Sequence, residues 1–304
     1  MIPSNSDKDM RSGVTFALAA FGFWGVVQPY YFGFFEEANA VTIMAHRSAW
    51  SCIFVWIWLG LRGKISGALE LFKEAKMLRV LFLTGVLIAG NWGIFIYAVQ
   101  SGRVLDASLG YFMTPLMTAA FGILVLKERP RKLQILALMF AAIGVGFYTV
   151  SIGQLPLIAL AVSISFSAYS GIRKLYKVPA ERGMALETTL ILPFAVGIIG
   201  TFGWLGAPYL IASTGREATL LIASGLTTLL PLVWFNAAAA RMPLISLGLL
   251  QFIVPIMLLV LSLFPPLEET LDLKRGVMLA AIWVGLVFYI IDVLHHSRRS
   301  SRLS

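Results

Sequence analysis

Cysteine and charged residues are both scarce in this chain. Cys52 is the only cysteine among 304 residues and lies inside an apolar run, so an intrachain disulfide is excluded and redox chemistry is not expected. Charged residues make up 13% of the sequence and hydrophobic residues 59%, against about 25% and about 45 to 50% in soluble domains. This composition excludes a soluble fold and predicts an all-α polytopic membrane protein.

The sequence also lacks the short motifs of common enzymes. It has no GxxxxGK[ST] phosphate loop, no HExxH zinc motif and no loop that gathers histidines or carboxylates. We therefore predict no catalytic residue, no metal ion and no cofactor, and we do not expect an enzyme. A polytopic membrane enzyme and a sensory or structural membrane protein remain the alternatives to a transporter.

Basic residues give the chain a formal net charge of +9, but they form no continuous basic face. They lie in short clusters between long apolar runs, so nucleic acid is not an expected partner. Because about 20 apolar residues cross a bilayer, the runs predict ten transmembrane helices. Their predicted limits are 14–33, 40–61, 78–99, 105–126, 133–150, 155–172, 184–206, 218–240, 244–264 and 276–294.

Lysine and arginine are distributed unevenly over the two sides of this ten-helix arrangement. Nineteen of them, Arg173 included, fall on the side of the two termini, four fall on the other side, and Arg47 alone lies inside a span. Cytoplasmic loops carry the excess of positive charge, so both termini are expected in the cytoplasm. The longest loop, 62–77, is either a plain solvated loop or a short helix on the membrane surface, with Ile65, Leu69 and Phe72 at helical spacing.

Two segments of the sequence repeat one pattern. Segment 108–128 reads SLGYFMTPLMTAAFGILVLKE, segment 246–268 reads SLGLLQFIVPIMLLVLSLFPPLE, and in each a proline precedes a glutamate by thirteen positions. They are the fourth and ninth predicted spans, so the second copy must be inserted upside down. We therefore predict two inverted five-helix repeats, as in alternating-access transporters. The predicted division is a cytoplasmic tail 1–13, repeats 14–150 and 155–294, and a basic cytoplasmic tail 295–304.

Pro115 and Pro255 lie near the middle of the two repeated segments. At about 1.5 Å per residue, each is roughly 15 Å into its helix, halfway across a bilayer. A proline there frees the backbone carbonyl one turn earlier, and in lipid that carbonyl must face protein or water. The prolines therefore mark either a packed kink or, as their symmetric placement favours, a substrate site near the midplane.

Three ionisable side chains inside the predicted spans are candidates for a role in transport. Arg47 can donate several hydrogen bonds to an anionic or carbonyl-bearing substrate, and pairing with Glu36 or Glu37 or snorkelling outward is an equal alternative. His46 titrates in the physiological range and is a proton-coupling candidate, or it is simply hydrogen-bonded. Glu187 is a second proton-coupling candidate, or it stabilises the start of its helix.

Amide and aromatic side chains deeper in the spans supply further candidate contacts. An amide in a span is either a substrate contact or an interhelical hydrogen bond. An aromatic ring is the wall of a site, ordinary packing or an anchor at the membrane interface. With Arg47 and the two prolines, the candidate substrate-binding residues are Trp24, Gln28, Asn91, Trp92, Tyr111, Tyr169, Asn236 and Gln251.

Three carboxylates lie near predicted helix ends. Glu128 and Glu268 close the two repeated segments and are expected to cap helices or to mark topology. Asp292 is expected to pair with His295, about one turn further along its helix.

Several short motifs occur together along the chain. They are Trp24-Gly25, His46-Arg47, Gly90-Asn91-Trp92, segment 108–116, Lys127-Glu128-Arg129, Ser246-Leu247-Gly248 with Gln251 and Pro255, and Glu268-Glu269. Over about 11–292 this combination resembles the EamA-type drug/metabolite transporter superfamily and is similar to its RarD branch, whose members are described as chloramphenicol-sensitivity or chloramphenicol-resistance permeases. The resemblance implies a permease or exporter of small metabolites or drugs in the bacterial inner membrane. Its partners would be a small-molecule substrate and membrane lipid, with a proton or another coupling ion and the oligomeric state left open.

Overall fold

The structure is a computed structural model that describes residues 5–35, 40–101, 103–153, 156–204, 214–262 and 273–303. Every regular element in these ranges is helical, as the sequence predicts. In chain order the elements are α1 (Asn5–Gly22), a π-helical turn (Phe23–Val27), α2 (Gln28–Gly33), α3 (Ala40–Leu61), α4 (Ile65–Lys73), α5 (Ala75–Gln100), α6 (Val104–Leu124), α7 (Lys132–Ile152), α8 (Leu157–Leu175), α9 (Ala180–Trp204), α10 (Gly215–Arg241), α11 (Leu244–Gln251), α12 (Ile253–Ser262) and α13 (Leu273–Leu303).

Within the described ranges, six helical segments are long and apolar enough to cross a membrane, and α3 with α4 adds a seventh if this bent pair counts as one span. Two further apolar helices, Leu109–Leu124 and Leu244–Met257, are shorter. The protein is therefore a multi-pass helical bundle, and the ten-span arrangement stays a prediction. The six segments are Asp9–Tyr31, Ala75–Phe95, Lys132–Ile152, Ala180–Thr201, Gly215–Arg241 and Leu273–Val293.

Segment 62–77 contains a short helix. α4 lies at 119° to α3, and the chain turns between them at Gly63, whose φ of +63° lies in the left-handed region that glycine adopts at no steric cost. Ala68 is buried against the bundle, while Ile65 and Leu69 are exposed. The sequence left a plain loop and a helix open, and the helix is confirmed.

A π-helical turn joins α1 to α2. Pro29 is the second residue of α2 and has no N–H, so it cannot donate to the carbonyl one turn earlier. The N–H of Gln28 donates instead to the carbonyl of Phe23, five residues back. On this turn, a Cβ on Gly25 would lie 2.9 Å from the Met257 side chain of α12. Glycine at this position therefore lets α1 and α12 approach closely.

The helices pack in pairs that bring distant parts of the chain together. α1 packs along α10 and α5 along α8, while α3 packs on α9, α6 on α11 and α7 on α13. Glycines lie at several of these contacts, because small residues let two helix backbones approach. A Cβ on Gly248 of α11 would lie 2.5 Å from the carbonyl oxygen of Pro115 in α6. The two predicted proline helices are therefore in direct backbone contact.

The contact between α7 and α13 is reciprocal. A Cβ on Gly144 of α7 would lie 2.8 Å from the Met278 carbonyl oxygen of α13, and a Cβ on Gly285 of α13 would lie 2.7 Å from the Ala137 carbonyl oxygen of α7. The two glycines are 141 residues apart, and so are the two residues that they face. This offset is within one residue of the 140 that separates the two repeated prolines.

Three large clusters of buried side chains form the core. The first lies between α3, α5, α8, α9 and α10 and includes Tyr169 and Leu186. The second joins α1, α10 and α11 through Phe21 and Phe235. The third joins α6 to α7, α8 and α13 and includes Leu109. Polar side chains among these clusters must find hydrogen-bond partners inside the protein, because burial without a partner is costly.

Candidate functional site

A buried ion pair connects α8 and α9. Arg173 and Glu187 are each 2% exposed, and Arg173 Nη1 lies 2.5 Å from Glu187 Oε2. The other carboxylate oxygen accepts a 2.6 Å hydrogen bond from Thr84 Oγ1 of α5. Arg173 Nη2 donates to the carbonyl oxygens of Pro179 and Ala180, at 3.2 and 3.1 Å. The pair thus holds together three helices and the turn between α8 and α9.

The surroundings of these two residues differ from those that the sequence predicts. The positive-inside rule places Arg173 in a cytoplasmic loop, whereas the structure buries it in the last turn of α8. Glu187 lies seven residues after Ala180, the first residue of α9. It is therefore beyond the first turn, where a carboxylate interacts with the helix dipole. The structure gives Glu187 a buried cation as its partner instead.

Tyr169 and Asn236 extend this polar group to α10. The Tyr169 hydroxyl lies 3.5 Å from Glu187 Oε2 and accepts a 2.8 Å hydrogen bond from Asn236 Nδ2. Asn236 Oδ1 is buried and has no hydrogen-bond partner among the described residues. Three predicted site residues therefore meet here, together with an arginine that the sequence did not single out. We call this group, Thr84, Tyr169, Arg173, Glu187 and Asn236, the Arg173 cluster.

Arg47 lies with two other predicted site residues. Its Nε donates a 2.7 Å hydrogen bond to Thr228 Oγ1 of α10. Its guanidinium lies 4.9 Å from the Trp92 ring centroid, within the range of a cation–π interaction, and Tyr111 lies nearby. Its predicted alternative partners, at positions 36 and 37, lie outside the described residues. Partly buried His46 precedes Arg47 on α3.

The remaining predicted amides have different surroundings. Asn91 Nδ2 donates a 2.7 Å hydrogen bond to the Val162 carbonyl of α8, which is the interhelical contact that was the alternative to substrate binding. Gln251 Oε1 accepts a 3.5 Å hydrogen bond from Thr118 Oγ1 of α6. Gln28 Oε1 is buried without a hydrogen-bond partner in the described part of the chain. Gln28 and Asn236 therefore retain acceptors that the described residues do not use.

The first-span tryptophan is packed among other aromatic rings. The ring centroid of Trp24 lies 6.0 Å from that of Phe166 and 5.6 Å from that of Phe235. These rings belong to α8 and α10. Phe235 is part of the second core cluster, and Trp24 and Phe166 pack against it. Trp24 thus joins three helices through packing, which was one of its predicted roles.

The repeated prolines have different local consequences. Pro115 lies inside the continuous helix α6. Pro255 is the third residue of α12, which follows a break in the helix at Phe252. The second copy of the repeated segment therefore has a break in the helix close to its proline, whereas the first copy stays helical through its proline.

Two cavities flank the Arg173 cluster. A small cavity of about 20 Å³ has Glu187, Trp92 and Thr228 in its lining. A cleft of about 1330 Å³ has Arg173 and Asn236 in its wall and reaches the ends of α3, α8 and α10. Each member of the ion pair therefore lines one of the two spaces, Glu187 the small cavity and Arg173 the large cleft.

Glu128 caps a helix, although not its own. Its carboxylate oxygens accept hydrogen bonds of 2.9 and 3.0 Å from the N–H groups of Leu244 and Ile245, at the start of α11. Lys174 Nζ lies 3.3 Å from the same carboxylate and also donates to the Met242 carbonyl. The end of one repeated segment thus caps the start of the other. Position 268, where the second glutamate was predicted to act likewise, lies outside the described residues.

Asp292 binds a different partner from the one predicted. Its carboxylate accepts hydrogen bonds of 3.0 and 2.8 Å from Arg131 Nε and a further one from Arg131 Nη2. A two-pronged guanidinium–carboxylate contact is stronger than most neutral hydrogen bonds, and the packing of α7 on α13 brings the two residues together. The predicted pair with His295 is therefore not formed in the described structure.

The fold and the buried polar groups define a class of protein. Charged side chains are costly within a membrane and occur there mainly where they pair or line a path for solutes or ions. The multi-pass bundle with its Arg173 cluster thus has the features of a membrane transport protein. The sequence profile of the EamA-like transporter family matches residues 11–150. The chain is also 35% identical over 295 residues to Protein RarD of Escherichia coli K12, covering 97% of this chain and 99% of that protein.

This chain therefore belongs to the EamA-like transporter family, and its predicted likeness to RarD is confirmed. It is 33% identical over 303 residues to an uncharacterized transporter of Vibrio cholerae, covering 99% of this chain and all of that protein. It is 29% identical over 302 residues to the chloramphenicol-sensitive protein RarD of Pseudomonas aeruginosa, with 95% and 97% covered. A solved crystal structure, 17% identical, shares the fold with a TM-score of 0.69 over 91% of this chain and 96% of that one. The protein is a multi-pass inner-membrane transporter.

Proposed function

We propose that this protein carries a small molecule across the bacterial inner membrane by alternating access of two inverted halves, 14–150 and 155–294. In this arrangement ten helical spans cross the membrane and both termini are cytoplasmic. The substrate is a metabolite or a drug-like molecule, as the name of the Pseudomonas aeruginosa relative suggests for that protein. Each part of the proposal has its own support.

The reciprocal contact between α7 and α13 is the observation that supports the inverted arrangement of the two halves. Under a two-fold relation, residue i of one copy faces residue j of the other, and j of the first faces i of the second. Gly144 and Gly285 meet Met278 and Ala137 in this way. The other pairs agree, because α3 with α9 and α6 with α11 join equivalent helices. The pairing of α1 with α10 is then the mirror of the pairing of α8 with α5.

Helix length supports the three further spans. α6 has 21 residues and α8 has 19, and α11 followed by α12 covers 244–262. At about 1.5 Å per residue, 19 residues extend roughly 28 Å, close to the hydrocarbon thickness of about 30 Å. α8 has a lower mean hydropathy than the six segments named above because its last turn carries Arg173 and Lys174. With the segments already described and α3, these helices would complete ten spans.

The substrate contacts that we propose lie in two groups. Arg47, Trp92 and Tyr111 form one, and the Arg173 cluster with its unused Asn236 acceptor forms the other. Trp24, Gln28 and Gln251, with the paired prolines, complete the set along the interface of the halves. Glu187 and His46 are the proposed proton-coupling residues, since each can change its charge inside the membrane.

Flux measurements on purified protein in proteoliposomes test this function. We expect uptake or efflux of at least one compound in a panel of labelled metabolites and chloramphenicol, above the level of empty vesicles, and a dependence on an imposed pH gradient. Glu187→Gln or His46→Gln should change the pH profile, whereas Lys132→Gln, on the exposed start of α7, should not. Flux equal to empty vesicles for every compound would count against transport. Unaltered profiles in both variants would remove the two residues as proton sites.

A further inference from the structure

The large cleft beside the Arg173 cluster has two chemically different ends. Away from the ends of α3, α8 and α10, much of its wall consists of apolar side chains of α3 and α10, among them Phe54, Leu226 and Leu230. Leu226 and Leu230 are exposed. Its mouth lies where α3, α8 and α10 end and carries many cationic groups. The cleft thus combines an apolar slot with a basic entrance.

Charge remains at the mouth after the internal ion pairs are set aside. Lys64 binds Glu181 at 3.0 Å, and Arg173 and Lys174 bind Glu187 and Glu128. Among the described lining residues, Arg62, Lys177, Arg182 and Arg241 then remain against one carboxylate, Asp9, and the charge of Arg62 also acts on Glu181. In the described part of the chain, Arg62 and Lys177 have no carboxylate within ion-pair distance, and both are exposed.

Two local features hold these cations at the entrance. The guanidinium of Arg62 lies 4.3 Å from the ring centroid of Trp58, a side chain that also lines the cleft. Lys177 follows the end of α8 with a φ of +50°, in the left-handed region that side chains with a Cβ seldom adopt. A lysine therefore stands at a lining position where glycine would be the unstrained residue.

The dimensions of the cleft match one leaflet of a membrane. Its lining on α10 extends from Leu226 to Arg241, which is about 22 Å at about 1.5 Å per residue. Half of a bilayer's hydrocarbon core is about 15 Å, and the head groups add several ångströms. The apolar part therefore has the length of an acyl chain, with the cations at head-group level.

We propose that this cleft binds an anionic phospholipid of the inner leaflet. Its phosphate contacts Arg62 and Lys177 at the mouth, and one acyl chain lies between α3 and α10. Basic pockets between membrane helices on the cytoplasmic side are suited to anionic head groups. A role in topology alone requires positive charge on that side, but it does not require the charges to surround the entrance of an apolar slot.

Arg79 and Lys132 provide a comparison, because they are exposed cations at helix starts outside the cleft.

Native mass spectrometry of the delipidated full-length protein in detergent tests this site. Phosphatidylglycerol should bind more tightly than phosphatidylcholine. At about 1 kcal/mol per cation and 1.4 kcal/mol per tenfold, Arg62→Gln with Lys177→Gln should weaken phosphatidylglycerol binding about 30-fold. The matched double variant, Arg79→Gln with Lys132→Gln, removes the same charges outside the cleft and should leave binding unchanged.

Three outcomes would overturn the proposal. Equal binding of the two lipids would show that the mouth does not select charge. Equal losses in the two double variants would show that only net charge matters. Displacement of phosphatidylglycerol by inorganic phosphate at similar concentration would show an anion site that needs no acyl chain. Arg62→Lys with Lys177→Arg should bind like the unaltered protein, which separates lost charge from misfolding. None of these results depends on which solute is transported.

Discussion

Exchange of Glu187 for glutamine should destabilise the protein strongly. Glu187→Gln keeps the shape of the side chain and the acceptor for Thr84, but it leaves Arg173 charged beside a neutral amide. Both members of the pair are 2% exposed, so water cannot replace the lost charge. Removal of one member of a buried ion pair typically costs about 3 to 5 kcal/mol. We expect a loss of this size in the free energy of unfolding.

A double-mutant cycle separates the pair from its surroundings. Arg173→Met alone also removes the hydrogen bonds to the Pro179 and Ala180 carbonyls, so it should cost at least as much as Glu187→Gln. The double variant should cost less than the sum of the two, with a coupling energy of about 2 to 3 kcal/mol. Unfolding by sodium dodecyl sulfate in mixed micelles, followed by circular dichroism, measures these values.

A partly exposed ion pair provides the control for this cycle. Glu181 binds Lys64 with side chains 25% and 39% exposed, and Glu181→Gln should cost less than about 1 kcal/mol because solvent screens such pairs. A cost below about 1 kcal/mol for Glu187→Gln, or strictly additive effects in the cycle, would refute the assignment of a buried, charged pair.

Three further changes have defined expectations. Gly248→Val should destabilise the protein by about 1 to 3 kcal/mol, since its Cβ would meet the α6 backbone at 2.5 Å. The control Gly146→Val has open space around it and should be tolerated. Equal unfolding midpoints of the two variants in detergent would contradict this contact. Glu128→Ala should cost about 1 to 2 kcal/mol by removing the cap of α11, and protection of the first α11 amides from hydrogen exchange should fall; unchanged protection would show that the cap is dispensable. Trp92→Leu should remove the cation–π interaction with Arg47, which is worth about 0.5 to 2 kcal/mol, and should reduce flux in proteoliposomes. Flux at the original level would place the ring outside the transport path.

Local patterns in the sequence predicted part of the fold correctly. The helical class follows from composition, and α4 follows from three apolar residues at helical spacing in a charged loop. Helix ends are harder to predict, because an apolar run in the sequence stops at its first cation even where the helix continues. The predicted sixth span ended at 172, and α8 continues to Leu175. Because of these three residues, Arg173 lies in the buried last turn of α8 and not in the predicted loop.

The burial of Arg173 is indicated by a spacing in the sequence that a search for apolar runs does not use. Tyr169 and Arg173 are four residues apart, so they share one face of a helix. If Tyr169 packs in the protein interior, an arginine on the same helix face is buried beside it. The sequence identified Tyr169, Glu187 and Asn236 one by one. It could not show that they meet, since their contact depends on which of α8, α9 and α10 are neighbours.

The partners of Glu128 and Asp292 illustrate the same limit. Sequence reasoning favours partners within one or two turns, such as His295 for Asp292. The observed partners are 46 or more residues away: Glu128 binds Lys174 and the start of α11, and Asp292 binds Arg131 at the start of α7. Such pairs depend on helix packing, which a single sequence does not encode in any short pattern.

The π-helical turn in the first helix has a mechanical consequence. A π turn contains one residue more than an α-helical turn, and one residue corresponds to about 100° of rotation in an α-helix. If that extra residue moves along the helix by one turn, the intervening residues rotate by about 100° around the axis while the chain stays helical. Trp24 and Gly25 lie on this turn. Such a shift would turn Gly25 away from Met257 of α12 and bring a bulkier side chain to that contact, with neither a hinge nor unfolding.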